Sequence, residues 1–473
     1  MPEFNLKDYK LSDTIAAIAT SPSKAALGVV KISGKKSLSI LEKIFAPKVK
    51  KNIKKAKTFT LHYGWIMNGP KSKVQSSKSG EAIDEVLVSI MRAPHSYTTE
   101  DVVEISSHGG VLVLNQIVEL ILKEGARLAK PGEFSYRALI NDRIDLLQAE
   151  AILRLVEAKT PEAVSLSSKQ LKGENSTKLE NLKEELKDLF TQTESAINFP
   201  GEDIEFDKIN FGKKLDKVIK KVSNFEKSQG SAKILTQGLR CVICGKSNAG
   251  KSTLFNRILR QERVIVSKSP GTTRDVVEET INIKGVPIKI YDTAGILEPN
   301  DFITKKAIQK TNQLFDEADL VILLFDGSKK LSKDDNFLLS KAKNKNTILV
   351  VNKSDLRQKL VLGQKIKKQH KFIKMSALKD ADLNKFEKLV YKTVYTKGID
   401  KKDLIFLNQY QKNELDNLAK NLSKTKEYLK GDYTIDFINF SLKDCLEFIG
   451  KITGEVIAEE ILENVFNNFC IGK

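Results

Sequence analysis

Residues Leu239–Leu259 read LRCVICGKSNAGKSTLFNRIL, and the folding of the middle of the chain turns on this stretch. An apolar run of strand length, LRCVIC, is followed by the octet GKSNAGKS (Gly245–Ser252) and then by TLFNRIL, which has helical periodicity. Glycines at such a junction let backbone N–H groups wrap phosphates at a helix N-terminus. The candidate phosphate-binding residues are therefore Gly245, Asn248, Ala249, Gly250, Lys251, Ser252 and Thr253. Lys251 can reach the β- and γ-phosphates, and the Ser252 hydroxyl can bind Mg2+.

Three further elements follow in the order a guanine-nucleotide site requires. Thr272 and Thr273 in PGTTRD offer a hydroxyl to Mg2+, with Ser267 just upstream. Asp292 ends the strand PIKIYD and opens DTAG, in which Thr293, Ala294 and Gly295 meet the γ-phosphate. In VVNKSD, Asn352, Lys353 and Asp355 face the base, and Ser376 and Ala377 of MSAL close its pocket. The Asp355 carboxylate can accept from the N1–H and 2-amino group of guanine, donors that adenine lacks, so ATP leaves an acceptor unpaired. A GTP site is expected, with Mg2+ held by Ser252, Thr273 and Asp292. Ile296, however, stands where Ras-like enzymes carry the Gln that orients the attacking water.

Periodicity places this motif within a larger plan. TIAAIAT, LGVVKISG, EVLVSIM and VVEISS alternate as strands, GGVLVLNQIVELILKEG reads as a helix ended by Gly125, and NGPKSKVQSSKSG reads as a long hairpin loop. Further on, Leu179, Leu182, Leu186 and Leu189 share one helical face, and Pro200-Gly201 interrupts the pattern. The expected division is an α+β domain over 1–128, a helical domain over 129–230 and 397–473, and an inserted α/β P-loop GTPase domain over 231–396.

Composition narrows the class. A chain of 473 residues exceeds one hydrophobic core. No apolar run approaches the roughly 20 residues that span a bilayer, and the start MPEFNLKDYK lacks a signal-peptide core, so a cytoplasmic protein without membrane contact is expected. A net charge of +19 suits a polyanionic partner, or else a surface uniformly coated with lysine. Cys241, Cys244, Cys445 and Cys470 are too scattered for a disulfide framework. Cys241 and Cys244, three apart on one strand, point to opposite faces and read as core thiols rather than as a redox or metal pair.

The resemblance to a known family extends beyond the nucleotide motifs. DTIAAIAT, GVVKISG, YTTEDVVEISSHGG, KPGEFSYRALINDRIDLLQAEA and the terminal CIGK resemble the MnmE (TrmE) family of tRNA-modification GTPases, from about Asp13 to the last residue. The resemblance implies an N-terminal tetrahydrofolate-binding and dimerisation domain, a homodimer, and a FAD-dependent partner, MnmG or GidA, in a heterotetramer. Together they install an aminomethyl- or carboxymethylaminomethyl-type group on C5 of the wobble uridine of tRNA. The one-carbon donor is 5,10-methylene- or 5-formyl-tetrahydrofolate. Outside this family, an RNA-binding ribosome-assembly GTPase of the Era or Der type shares the P-loop and GTTRD, and a GTP-binding switch with impaired hydrolysis is a further reading.

The resemblance also implies residue roles. K+ beside the phosphates takes the place of an arginine finger, held by Asn248 with Ser267, Ser269 and Thr272, and neutralises charge growing on the bridging oxygen. The family's water-orienting Glu corresponds to Thr304, whose hydroxyl has no usable basicity near neutral pH; Glu298 and Asp301 lie nearby. Folate would meet Lys31, Glu104, Arg143 and the terminal Lys473. Lys31 replaces the usual Arg and Arg143 the usual Lys, so charge is kept while hydrogen-bond geometry changes. His108 either lines that pocket or stabilises a turn.

Overall fold

A computed structural model describes residues 12–21, 23–49, 52–68, 81–198, 206–246, 248–262, 278–283, 286–292, 315–394, 404–456 and 459–472. The chain divides into two compact units, one made of Met1–Leu153, Leu171–Lys183 and Ile449–Lys473, the other of Arg154–Gln170 and Glu184–Phe448.

The first unit is built on alternating strands. These are β1 (Ile15–Ile18), β2 (Ala25–Ser33), β3 (Phe45–Pro47), β4 (Thr60–Asn68), β5 (Glu81–Met91), β6 (Val102–Gly109) and β7 (Arg127–Leu128). They form one sheet in the order β3-β4-β5-β6-β2-β1-β7, antiparallel except where β7 joins β1. Alternation decides which face is covered: Val86, Val88 and Ile90 of β5 are buried while Leu87 between them is exposed. On the covered face α1 (Ser37–Ile44) and α2 (Val111–Lys123) seat Leu41, Ile44, Leu114 and Ile117 against Val30, Ile32 and Val103. The hairpin joining β4 to β5 is thus as expected, although its loop, 69–80, is not among the described residues. Past the sheet, α3 (Glu133–Ile140), the start of α4 (Leu146–Glu157) and α14 (Glu459–Phe466) share a small core in which Tyr136 meets Phe466 edge to face at 5.5 Å.

The second unit contains a parallel sheet in the order β13-β12-β11-β8-β10-β9. Its strands are β8 (Leu239–Gly245), β9 (Glu278–Ile283), β10 (Val286–Asp292), β11 (Leu320–Asp326), β12 (Thr347–Asn352) and β13 (Lys371–Lys374), and only β9 runs antiparallel to its neighbour. Both faces are buried, which is why these strands are continuously apolar. On one face Cys241, Ile243, Ile322 and Val350 pack with Leu254 and Ile258 of α8 (Lys251–Glu262) and Leu383 and Phe386 of α11 (Asp380–Val394). On the other, Val242, Cys244, Leu323 and Val351 pack with Leu339 of α9 (Lys333–Lys341). Cys241 and Cys244 therefore lie on opposite faces as core thiols, and burial pushes the Cys241 thiol well above its ordinary pKa.

Helices flank this sheet in sequence: α5 (Pro161–Leu171), α6 (Glu174–Asn198), α7 (Lys208–Gln237), α12 (Gln409–Lys430) and α13 (Ile435–Thr453), with the short α10 (Gln364–Gln369) inside the α/β part. Leu179, Leu182, Leu186 and Leu189 of α6 are all buried, as their shared face requires. The expected division at 230 falls inside α7, which continues unbroken to Gln237 before Gly238 leads into β8. The chain enters and leaves the α/β part at adjoining points: Gln229 of α7 donates from Nε2 to the Leu407 carbonyl and accepts from the Leu407 N–H at 2.9 Å. A capping box then starts α12, Asn408 accepting from the Gln411 N–H at 2.8 Å. An α/β part inserted between helical segments is thus the observed architecture.

Candidate functional site

The loop after β8 is shaped by backbone conformation. Asn248 has φ of 64° and Gly250 of 98°, the left-handed turns that direct successive N–H groups inward toward an anion. Gly250 has a steric reason as well: a Cβ there would lie 2.2 Å from Asn352 Nδ2. Lys251 begins α8, is buried, and donates from Nζ to the Gly245 carbonyl at 2.8 Å and the Lys246 carbonyl at 2.9 Å. Its ammonium therefore bridges the mouth of the loop. Ser252 and Thr253 follow, exposed, in the first turn of the helix. Inward-turned amides, a clamped ammonium and a neighbouring hydroxyl fit a phosphate chain with Mg2+.

Three loops at the C-terminal ends of the strands meet on Asn352. Its Nδ2 donates to the Ala249 carbonyl at 2.8 Å, and its Oδ1 accepts from the Ala377 N–H at 2.9 Å. Lys353, with φ of 61°, pairs with Asp326 at 2.8 Å. Burial pushes the Asp326 carboxyl up, but hydrogen bonds from Lys353 and Ser328 outweigh it and hold the group below the usual range. Asp355 is exposed, and a hydrogen bond from the Ser376 hydroxyl holds its carboxyl below the usual range. The Ser376 N–H is itself fixed by Asp382 at 3.0 Å. An ionised, oriented carboxylate is an acceptor only, the partner that an N–H pair such as guanine's requires.

Asn248, Lys251, Asn352, Asp355, Ser376 and Ala377 are thus brought to one end of the sheet. Asp292 closes β10 beside β8, in register with Ile243. Ser267, Ser269, Thr272, Thr273, Thr293, Ala294, Gly295, Glu298, Asp301 and Thr304 lie outside the described residues, as does Lys473.

A second site lies in the other unit. Lys31 on β2 and Glu104 on β6 are register partners, their charged groups 3.5 Å apart. The Lys31 ammonium also sits 5.5 Å from the Tyr97 ring centroid, and the Arg143 guanidinium approaches the same ring at 4.9 Å. Lys31, Tyr97 and Arg143, with Ile144, Gln148 and Ile152, line a cleft of about 490 Å³. Tyr97 is fixed by a 2.8 Å hydrogen bond between its hydroxyl and Ser135 Oγ, and burial pushes its phenol pKa up. The C-terminal tail reaches the same unit: the Gly132 N–H bonds the Cys470 carbonyl at 3.4 Å, and a Cβ on Gly472, which has φ of 93°, would lie 2.5 Å from the Ile18 carbonyl oxygen. Two cations around an aromatic ring, with an acid beside them, fit a planar ring bearing amino groups and a carboxylate tail. Cys470 is exposed. His108 faces solvent and pairs with Asp84 at 2.7 Å, so it braces strands β5 and β6 and does not line the cleft.

Comparison with known proteins identifies the family. Residues 14–143 match the model for the N-terminus of the GTP-binding protein TrmE, and residues 146–470 match the MnmE helical domain. The tRNA modification GTPase MnmE of Thermoanaerobacter pseudethanolicus is 40% identical over 465 residues, covering 98% of this chain and 99% of that one. The chain belongs to the MnmE family of tRNA modification GTPases. The MnmE of Clostridioides difficile is likewise 40% identical, over 98% of this chain and 100% of its own. Among solved structures, Era of Aquifex aeolicus bound to GDP and aluminium fluoride covers 38% of this chain at 26% identity, with a TM-score of 0.26.

Membership of the MnmE family separates this GTPase from the Era or Der reading, because the match to a TrmE N-terminus occupies residues those proteins are expected to lack. Tyr97 and Gln148 are cleft residues that sequence reasoning missed. Tyr97 opens a stretch shared with the MnmE family, but nothing in its neighbours marks it as the ring between two cations. Among the described residues no helix is long and apolar enough to cross a membrane.

Proposed function

We propose that this MnmE-family GTPase is K+-dependent and acts in the cytoplasm as a homodimer joined through its N-terminal domains. With the FAD-dependent MnmG (GidA) protein, in a heterotetramer, it modifies C5 of the wobble uridine of tRNA. The observation that carries this reading is the pairing of two unlike sites in one chain: a loop closed by the Lys251 ammonium with the Asp355 carboxylate at the same end of the sheet, and a cleft in which Lys31 and Arg143 approach the Tyr97 ring, with Glu104 paired to Lys31. In the first, Lys251 and the loop amides hold the phosphates, Ser252, Thr273 and Asp292 hold Mg2+, and Asp355 selects guanine. Asn248 holds K+ with Ser267, Ser269 and Thr272, and that cation supplies positive charge at the bridging oxygen. In the second, Lys31, Arg143 and Lys473 take the carboxylates of a one-carbon tetrahydrofolate while Glu104 accepts from its amino edge.

The test is single-turnover GTP hydrolysis in K+ and in Na+, with and without the FAD-dependent partner, alongside titration with 5-formyl-tetrahydrofolate. Hydrolysis faster in K+ and folate binding that is lost in Tyr97→Ala, with GTP affinity kept, support the reading. Equal rates in both salts remove the K+ site, and folate affinity unchanged in Tyr97→Ala removes the cleft. A second reading, a switch that binds GTP and hydrolyses it poorly, is favoured by Thr304 standing where the family carries Glu. Turnover that stays low in K+ even with the partner present selects it.

A further inference from the structure

Between Leu356 and Lys379 the chain carries eight Lys and Arg residues and no Asp or Glu. This stretch forms α10 and β13, the edge strand of the sheet in the second unit. Lys365, Lys367, Lys368, Lys371 and Lys374 are all exposed, and among the described residues none of them stands in an ion pair. Lysine-rich surface elsewhere in this unit is interleaved with acids: on α7, Lys214 pairs with Asp188 and Lys221 with Glu185, each at 2.8 Å. Lysines on an edge strand guard against edge-to-edge pairing, which accounts for Lys371 and Lys374. That need does not extend to the three lysines of α10.

An aromatic ring completes the face. Phe372 is 39% exposed on β13, and the Lys367 ammonium lies 5.8 Å from its centroid. Strand alternation puts Lys374 on the same side of β13 as Phe372. Cations without competing carboxylates, flanking an open ring, match a sugar-phosphate backbone with an unpaired base to stack. We propose that α10 and β13 form a docking surface for RNA, with Lys365, Lys367, Lys368, Lys371 and Lys374 on phosphates and Phe372 on a looped-out base. The RNA class rests on the reading that the protein acts on tRNA. β13 leads through Met375 directly into Ser376 and Ala377, so RNA held here lies beside the loop that closes the base pocket.

The test uses the full chain and tRNA, with affinity measured over a series of KCl concentrations. Lys367→Gln/Lys371→Gln/Lys374→Gln is compared with Lys213→Gln/Lys217→Gln/Lys220→Gln, which removes equal charge from exposed positions on α7. The first is expected to weaken tRNA binding at least tenfold and to lower the slope of log affinity against log salt by about 2, at roughly 0.7 to 0.9 per phosphate contact. The α7 variant changes affinity less than threefold, and both keep wild-type GTP affinity. Phe372→Ala weakens binding and leaves the salt slope unaltered. Equal losses in the two triple variants would overturn the surface while leaving tRNA as the substrate. A wild type that binds no tRNA, alone or with its FAD-dependent partner, overturns both. Loss of binding to phosphatidylserine vesicles in the α10–β13 variant with tRNA binding intact overturns the RNA assignment in favour of a membrane surface.

Discussion

The side-chain amide of Asn352 donates to the backbone carbonyl of Ala249 at 2.8 Å, tying the end of β12 to the phosphate loop 103 residues earlier in the chain. The same amide accepts from the Ala377 N–H, so one buried side chain fixes the phosphate and base loops against each other. Asn352→Ala leaves a buried carbonyl and a buried N–H without this partner, at about 1 to 3 kcal/mol for each. The expected outcome is a loss of GTP affinity of at least about 10-fold, equivalent to about 1.4 kcal/mol and so within that cost. Titration with a fluorescent GTP analogue measures it. Wild-type affinity in the variant would show that the loops are aligned by other contacts.

Base selectivity is expected to follow Asp355. An amide at that position donates to the 2-oxo group of xanthine where the carboxylate accepted from guanine, so Asp355→Asn reverses the preference from GTP to XTP. Competition between the two nucleotides decides it, and a variant that still prefers GTP refutes the assignment. Lys251→Ala, by contrast, abolishes tight binding of either nucleotide, because it removes the ammonium that spans the loop.

A buried charge cluster is expected to govern the stability of the first unit. Arg137 is fully buried and donates to Asp13, Glu100 and Glu133 at 2.7 to 3.1 Å, while Arg127 joins Asp13 and Glu133 from β7. Burial raises the Asp13 carboxyl, but hydrogen bonds from Arg127 and Arg137 bring it below the ordinary range. Arg137→Met removes the buried cation these acids share, leaving Asp13 and Glu133 to Arg127, at a cost of about 3 to 5 kcal/mol, the usual result of breaking a buried pair from one side. Thermal unfolding reports it; a loss under about 1 kcal/mol would place the cluster among dispensable surface pairs.

The His108–Asp84 pair gives stability a pH dependence. The hydrogen bond to Asp84 raises the His108 pKa above the ordinary 6.5, so the folded chain holds that proton more tightly than the unfolded one. The contribution is complete below pH 6.5 and fades as pH rises through the folded value. Asp84→Asn is expected to flatten the wild-type rise in melting temperature from mildly alkaline to mildly acidic buffer. An identical pH profile in the variant refutes the pairing.

Hydrolysis is expected to respond at Thr304. On the proposal that Thr304 holds the water-orienting position, Thr304→Glu supplies a carboxylate there and raises single-turnover hydrolysis in K+ by about 10- to 100-fold, within the usual range for a positioned general base. GTP affinity stays unchanged, because the water contact matters mainly in the transition state. A fast wild type that collapses in Glu298→Gln or Asp301→Asn assigns the water to a neighbouring acid.

Sequence alone determined what depends on neighbours along the chain. GKSNAGKS between an apolar strand and a helix dictated the phosphate loop, since glycine conformation and the helix terminus are local properties, and period-two alternation put Cys241 and Cys244 on opposite faces. The leucine face of α6 was equally legible, because helical period is local too. Tertiary structure decided what depends on register and closure. Lys31 meets Glu104 only because β2 and β6 pair in one antiparallel register, and a slip of one residue would send them to opposite faces. Tyr97 stands between Lys31 and Arg143, and Arg137 gathers acids from Asp13, Glu100 and Glu133, through packing that no local period encodes. The continuation of α7 past residue 230 belongs with these: Ala232 and Leu235 in its last turns pack into the core of the α/β part, a contact that exists only once that part has folded.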